Sequence, residues 1–296
     1  MHSLDVHQHL WPPDLVDALR RRNRPPMLRG WVLHLTHEAP FEVSAADHDV
    51  DRRAALEDER ARVLVSLSAP LGIEALCPNE AHALLAAWHD GARRLPPPFA
   101  AWASVSAVEP DLGELAELLT TGFVGLQVPA SQLATPAAVE AAAPVLRLCE
   151  ELGRPVLIHP GPPLASAAGA PRWWPAIVDY PPQLHAAWWA WHEAGRRLLP
   201  DVRICFAAGA GLAPVHHERY SARGGGRFVV DPNTFVDTSC YGRQGVDALS
   251  RALGIDVLVL GTDRPYAERM DLRLGPAAER AICVTNPTRL LEGGSA

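Results

Sequence analysis

Eight short apolar segments alternate with segments of helical hydrophobic periodicity along this 296-residue chain. Most of the eight are continuous apolar runs, which is the pattern of parallel strands covered on both faces. The predicted strands cover residues 4–9, 63–68, 99–105, 124–128, 156–159, 203–207, 235–239 and 257–261. Eight strand–helix units favour a closed barrel, and no GxGxxG loop supports an open doubly wound sheet. We therefore predict an α/β fold, a single (β/α)8 TIM-barrel domain over residues 1–296.

The connections between these strands predict helices and two extended loops. The predicted helices cover residues 46–60, 79–94, 111–120, 136–152, 184–199, 212–222 and 246–253. Residues 11–44, after the first strand, and 161–183, after the fifth, are longer than ordinary loops. Long loops after barrel strands form lids and binding walls, because the C-terminal ends of the strands carry the chemistry. We therefore predict a distorted barrel with long loops after strands 1 and 5.

The composition excludes several classes of function. A net charge of −7 and a pI near 6.0 argue against nucleic acid and anionic membranes as partners. No run of 18 apolar residues is present to span a bilayer, and the first strand begins too early to follow a signal peptide. Five scattered cysteines without a CxxC motif predict reduced thiols in a cytoplasmic protein. The chain has no lysine, which excludes Schiff-base lysines, a P-loop lysine and a carbamylated lysine bridging two metals.

Metal-ligand residue types terminate three of the predicted strands. The first strand ends in His7-Gln-His9, the fifth ends in His159, and Asp263 follows the eighth. The two-residue period of a strand places His7 and His9 on one face. Strands 1 and 8 are neighbours in a closed barrel, so three imidazoles and one carboxylate should converge at its mouth. This set predicts one divalent metal ion, with Zn²⁺ first and Mn²⁺ or Fe²⁺ as alternatives.

Four segments carry a family resemblance: DVHQHLWP, VLIHPG, LVLGTDRPY and NPTRLL. Together, and in this order, they resemble the amidohydrolase-related metal-dependent hydrolases, in the branch that includes aminocarboxymuconate-semialdehyde decarboxylase and related aromatic-acid decarboxylases. The resemblance implies that His7, His9, His159 and Asp263 are the ligands of a mononuclear metal site. The absent lysine agrees, because binuclear members of the family need one.

One position departs from the family pattern. The family's sixth strand normally ends in a histidine that serves as acid or base, whereas this chain has Ala208 there. An alanine cannot transfer a proton. Either another group replaces the histidine, the reaction does not need it, or the activity has been lost. His216 is the nearest replacement, and its alternative interpretation is a solvated helix position.

Four further residues are candidates for substrate contacts. Arg264 follows Asp263 and could hold a carboxylate, unless it only pairs with a neighbouring acid. Trp11 and Trp174 are predicted to wall a planar substrate, with packing as the alternative. Tyr241 ends the seventh strand and is a candidate donor to a developing oxyanion.

Three functions are compatible with these residues. The first is a metal-dependent hydrolase of an amide, lactone or ester bond in a small carboxylated or aromatic substrate, in which Asp263 takes the proton of the attacking water. The second is non-oxidative decarboxylation of a small unsaturated or aromatic acid at the same site. The third is a catalytically impaired barrel that binds a metabolite. We expect a small-molecule substrate and no nucleic-acid or membrane partner, with a homodimer as the common default.

Overall fold

All eight predicted strands form in the computed structural model, which describes residues 3–58, 60–164 and 169–294. They are β1 (Leu4–His9), β2 (Arg62–Ser66), β3 (Phe99–Ala101), β4 (Leu126–Pro129), β5 (Val156–His159), β6 (Ile204–Phe206), β7 (Thr234–Asp237) and β8 (Leu258–Val259). Parallel pairing runs from β1 to β3 and from β4 to β8. A bridge between Ala103 and Leu126 joins β3 to β4, and the Val6 N–H donates to the Leu260 carbonyl at 2.8 Å. The ring is therefore closed, and the predicted (β/α)8 barrel is confirmed.

The barrel interior is a separate apolar cluster inside the ring of strands. Alternate residues point inward, as the pleat of a strand requires. The inward residues include Leu64 of β2, Leu157 of β5, Phe235 of β7 and Val259 of β8. Leu290, on the C-terminal helix Asn286–Glu292, joins this cluster and closes the N-terminal end of the barrel. The outward-facing residues pack against the helices in a larger cluster.

Helices follow most strands close to the predicted positions. They are Pro78–Arg93 after β2, Leu112–Thr120 after β3, Pro136–Glu151 after β4, Tyr180–Ala190 after β5 and Arg243–Leu253 after β7. Local capping explains two of their starts. Asp111 accepts a hydrogen bond from the Glu114 N–H, and Thr135 accepts one from the Ala138 N–H. None of the described helices is long and apolar enough to cross a membrane.

The segment after β1 is more regular than a loop. It holds the helix Pro13–Arg21 and an antiparallel sheet of Met27–Arg29, Val32–His34 and Phe41–Glu42. In place of the helix predicted over residues 46–60, the chain forms a 3₁₀ turn, Ala45–His48, and the short helix Val50–Ala54. Glu59, within the predicted range, lies outside the described residues. In the long segment after β5, residues 165–168 also lie outside them, and a π-helical turn, Pro175–Asp179, leads into the next helix.

The helix predicted over residues 212–222 is wrong over most of its length. The chain after β6 forms a 3₁₀ segment, Ala208–His216, and only the short helix His217–Tyr220, followed by a π turn, Ser221–Gly225. Residues 208–212 have φ values between 45° and 60°, so this turn is left-handed. Two glycines adopt that conformation freely, but Ala208, Ala210 and Leu212 do so at a cost.

Of two further helical segments, one agrees with expectation and one was not expected. The helix after β5 continues as a π turn, Trp191–Gly195, and a final turn, Arg196–Leu198, in agreement with the predicted extent 184–199. After β8 the chain forms Pro276–Arg280, a π turn at Ala281–Thr285 and the C-terminal helix. The last group was not predicted from the sequence.

Candidate metal centre

A bulge in β1 brings the first two candidate ligands to the mouth of the barrel. Val6 and His7 together oppose the single residue Leu64 of β2. The extra residue leaves the His7 N–H outside the ladder, and the Asp5 carboxylate accepts it at 3.1 Å. As a result Val6 belongs to the interior cluster, while both His7 and His9 face the mouth. The two-residue period gives the histidines their predicted shared face, and the bulge turns that face to the same side of the strand as Val6.

Three imidazoles and one carboxylate meet at this mouth. His9 Nε2 lies 3.1 Å from His7 Nε2, 3.2 Å from His159 Nε2 and 3.2 Å from Asp263 Oδ1. His7 Nε2 lies 3.6 Å from the same carboxylate oxygen. One ligand atom from each of the four residues falls within 4.8 Å of all the others. The structure therefore brings together the four residues that the sequence singled out as metal ligands.

The second ring nitrogen of each histidine has an acceptor. The three acceptors are Asp237 Oδ2 for His7 at 2.7 Å, the Ser66 carbonyl for His9 at 3.1 Å and the Pro160 carbonyl for His159 at 2.8 Å. Each Nδ1 therefore carries the hydrogen, and in the neutral rings each Nε2 presents a lone pair to the cluster. Lone pairs that face one another at 3.1–3.2 Å repel unless a cation lies among them. The donor set and its orientation thus fit a divalent metal ion.

Asp237 is the functional residue that the sequence reasoning missed. It ends β7, and its Oδ1 accepts hydrogen bonds from the Ala208 N–H at 2.8 Å, the Ser239 N–H at 2.9 Å and the Ser239 hydroxyl at 2.7 Å. Its Oδ2 is thereby held against His7. The backbone of Ala208, rather than its side chain, supports the site. The sequence feature that could have identified Asp237 is TFVDTS, in which an apolar strand ends in a carboxylate.

Burial and neighbouring charges set the protonation of the four residues. Burial lowers the pKa of His7, but Asp237 outweighs it and raises that pKa to about 9. Burial lowers the pKa of His9 and of His159, and neighbouring imidazoles add to the effect. Burial raises the pKa of Asp263, but the hydrogen bond and charges of the histidines outweigh it and lower that pKa to about 2. The cluster therefore keeps the Asp263 carboxylate beside unprotonated His9 and His159, the forms that bind metal, whereas His7 holds a proton that a bound metal ion would displace.

The structure gives two of the other candidates roles in packing and ion pairing. Trp11 is only 1% exposed, stacks on His48 and donates to the Ser68 hydroxyl at 2.9 Å, so it backs the mouth rather than lining it. Arg264 pairs with Glu57 at 2.9 Å and with Glu268 at 3.1 Å. Ion pairing is the role predicted from the sequence as the alternative to substrate binding. The two glutamates already occupy the guanidinium of Arg264.

The remaining candidates lie in the segments that follow β5, β6 and β7, and no hydrogen bond or ring contact joins them to the four ligands in the described part of the chain. Trp174 is partly exposed and packs beside Trp173. Tyr241 lines a cavity between the segments that follow β7 and β8. His216 is exposed, and its ring lies 5.1 Å from that of His185. Their roles in substrate binding or catalysis stay predictions.

Comparisons with known sequences found a family model and a curated relative. A family model described as "Amidohydrolase" matches residues 4–293. A curated relative, the 2-amino-3-carboxymuconate-6-semialdehyde decarboxylase of Dictyostelium discoideum, is 26% identical over 162 residues. That match covers 50% of this chain and only 45% of the relative.

Two solved structures share the fold. IDCase of Metarhizium anisopliae has a TM-score of 0.77 at 17% identity, with 98% of this chain and 97% of that chain covered. A dihydroxybenzoic acid decarboxylase from Polaromonas, with bound manganese and the inhibitor 2-nitroresorcinol, has a TM-score of 0.69 at 18% identity, with 100% of this chain and 98% of that chain covered. At these identities the likeness establishes the barrel fold.

Proposed function

Because this chain belongs to the amidohydrolase family, we propose that it is a metal-dependent decarboxylase of a small aromatic or unsaturated carboxylic acid. The observation that carries the proposal is the cluster of His7, His9, His159 and Asp263, whose free lone pairs converge at the barrel mouth. The names of the relatives support the reaction, because the curated relative and the manganese-containing neighbour are both decarboxylases. This reverses the order of the two reactions expected from the sequence, in which hydrolysis came first.

His7, His9, His159 and Asp263 would hold one divalent ion. When bound, the ion would supply positive charge that orients the substrate carboxylate and stabilises negative charge developing on the substrate. Asp237 keeps His7 in the required tautomer. Both Zn²⁺ and Mn²⁺ suit imidazole and carboxylate ligands, and the neighbour's manganese makes Mn²⁺ the first ion to test.

The absence of an imidazole at Ala208 also favours decarboxylation. Loss of CO₂ leaves a carbanion that needs one proton, and the departing CO₂ needs none. Hydrolysis requires a proton to leave the water and another to reach the leaving group. Asp263 Oδ2, the oxygen that contacts the Cys240 thiol and not His9, is the proposed atom to take this proton from water and pass it to the carbanion, which returns Asp263 to a carboxylate.

Metal content tests the site. We expect about one ion per chain in protein never exposed to chelator, and less than about 0.2 in the His159→Ala variant. The matched control is His82→Ala, because His82 is exposed on the helix Pro78–Arg93. A wild-type content below about 0.2, or equal contents in both variants, would contradict the site.

A substrate panel tests the reaction. Metal-loaded protein should release CO₂ from hydroxylated benzoates or an unsaturated semialdehyde acid, and should leave esters, lactones and amides unchanged. Release of acid from the esters or lactones without CO₂ would reinstate the hydrolase. No turnover on either panel with metal bound would favour the impaired metabolite-binding barrel.

A further inference from the structure

Two strained residues face each other across the ends of β7 and β8. Cys240 has a φ of 64° and Asp263 has a φ of 62°, a conformation that non-glycine residues rarely adopt. Residues in this conformation persist only where the surrounding structure holds them. The Cys240 thiol donates a hydrogen bond to Asp263 Oδ2 at 3.3 Å. The two strained backbones thus present their side chains to each other.

Because of this contact, the two carboxylate oxygens of Asp263 have different neighbours. Oδ1 lies 3.2 Å from His9 Nε2 and 3.6 Å from His7 Nε2. Oδ2 is the oxygen that meets the thiol of Cys240. The hydrogen bond therefore fixes which oxygen of the carboxylate faces the imidazoles.

The Cys240 side chain also borders a cavity. The cavity, of about 380 Å³, lies between the segments that follow β7 and β8, and Tyr241, Met270 and Leu272 line it together with Cys240. Asp263 is not among the residues that line it, so the thiol contacts both the cavity and the carboxylate.

We propose that Cys240 is a positioning residue of the metal centre, whose S–H hydrogen bond keeps Asp263 Oδ1 toward the metal and Oδ2 away from it. The proposal rests on the proposed metal site. It requires no change in the protonation of the thiol. Partners that orient a metal ligand change metal affinity by about 10–100-fold when they are lost. A thiol is a weak donor, so the lower end of that range is expected.

Metal affinity and the spectrum of bound Co²⁺ test the proposal independently of turnover. Cys240→Ala should weaken Co²⁺ binding about 10-fold, measured by competition with a chromophoric chelator, and should alter the visible absorption bands of bound Co²⁺. Cys240→Ser should stay within about 3-fold of wild type, because its hydroxyl supplies the donor. The matched control is Cys77→Ala, since the exposed Cys77 thiol also donates to a carboxylate, that of Glu80, at 3.3 Å. This control should leave affinity and spectrum unchanged.

The outcomes are separable. Unchanged affinity and spectrum in Cys240→Ala would overturn the proposal, and so would a serine variant that behaves like the alanine variant. If the alanine variant does not fold, Cys240→Gly replaces it, because glycine adopts the positive φ without strain. Failure of the wild-type protein to bind Co²⁺ would refute the proposed function, and this inference with it.

Discussion

A buried carboxyl group away from the metal centre should make the stability of the protein depend on pH. Glu74 is 1% exposed, and its Oε1 accepts hydrogen bonds from the Ser104 hydroxyl at 3.0 Å and the Gln127 amide at 3.2 Å. Glu74 Oε2 and Gln127 Oε1 are both buried and have no hydrogen-bond partner among the described residues. A proton on Oε2 is the donor that this pair lacks. Burial accordingly raises the pKa of Glu74 from 4.5 to about 7.

The direction of the effect follows from proton binding. The unfolded chain ionises Glu74 near its ordinary pKa of 4.5, whereas the folded protein keeps the proton until about pH 7. Between these values the folded state binds more protons, so the contribution of Glu74 to stability falls as the pH rises. At about 1.4 kcal/mol for each pH unit, the loss is about 3 kcal/mol, complete near pH 8.

The Glu74→Gln variant isolates this contribution. Its amide can pair with Gln127 at every pH, so the variant should gain about 3 kcal/mol relative to wild type between about pH 5 and 8. Urea unfolding of both proteins at several pH values measures the difference. Glu117→Gln, on the exposed face of the helix Leu112–Thr120, is the control. A difference between Glu74→Gln and wild type that does not change with pH would refute the reasoning.

Three further substitutions probe the site and its support. Asp237→Asn should weaken metal binding by about 10-fold or more, because it removes the charge that holds His7; chelator competition measures this, and unchanged affinity would contradict it. Trp102→Phe should reduce the free energy of unfolding by about 1–3 kcal/mol, because the indole N–H donates to the Val6 carbonyl at 2.9 Å; urea unfolding with no detectable loss would count against it. His216→Ala should retain metal content and turnover, since His216 is exposed and packs by His185; loss of turnover would restore its predicted catalytic role.

The barrel and its ligands could be predicted because both depend on strand patterns. Parallel strands buried on both faces are continuous apolar runs, and the residues that end them must lie at one rim. That reasoning located His159 and Asp263 without a structure. It applies equally to Asp237, but the predicted seventh strand runs to residue 239 and so places Asp237 inside the strand and not at its end. The acceptors on Ser66 and Pro160 are backbone carbonyls, so no residue type reveals them.

In the segment after β6, the local sequence pattern predicts the wrong structure. The helix predicted over residues 212–222 begins inside AGAGLAP, where leucine and alanine favour a helix. The left-handed turn instead forms because Gly209 tolerates positive φ and because Asp237 and Ser239 bind the N–H of Ala208. These contacts join residues about thirty positions apart, so tertiary structure overrides the local preference.

Because of the bulge in β1, the metal centre depends on the number of residues in that strand as well as on their identity. A strand with one residue fewer between Asp5 and Gln8 would pair regularly with β2 and would reverse the facing of the residues on one side of the deletion. Either the histidines would turn toward the surrounding helices, or Leu4 would leave the barrel interior. In the first case the four metal-ligand residues would all be present in the chain without forming a site. When homologous chains are aligned, the spacing from Asp5 to His9 therefore carries as much information about metal binding as the histidines themselves.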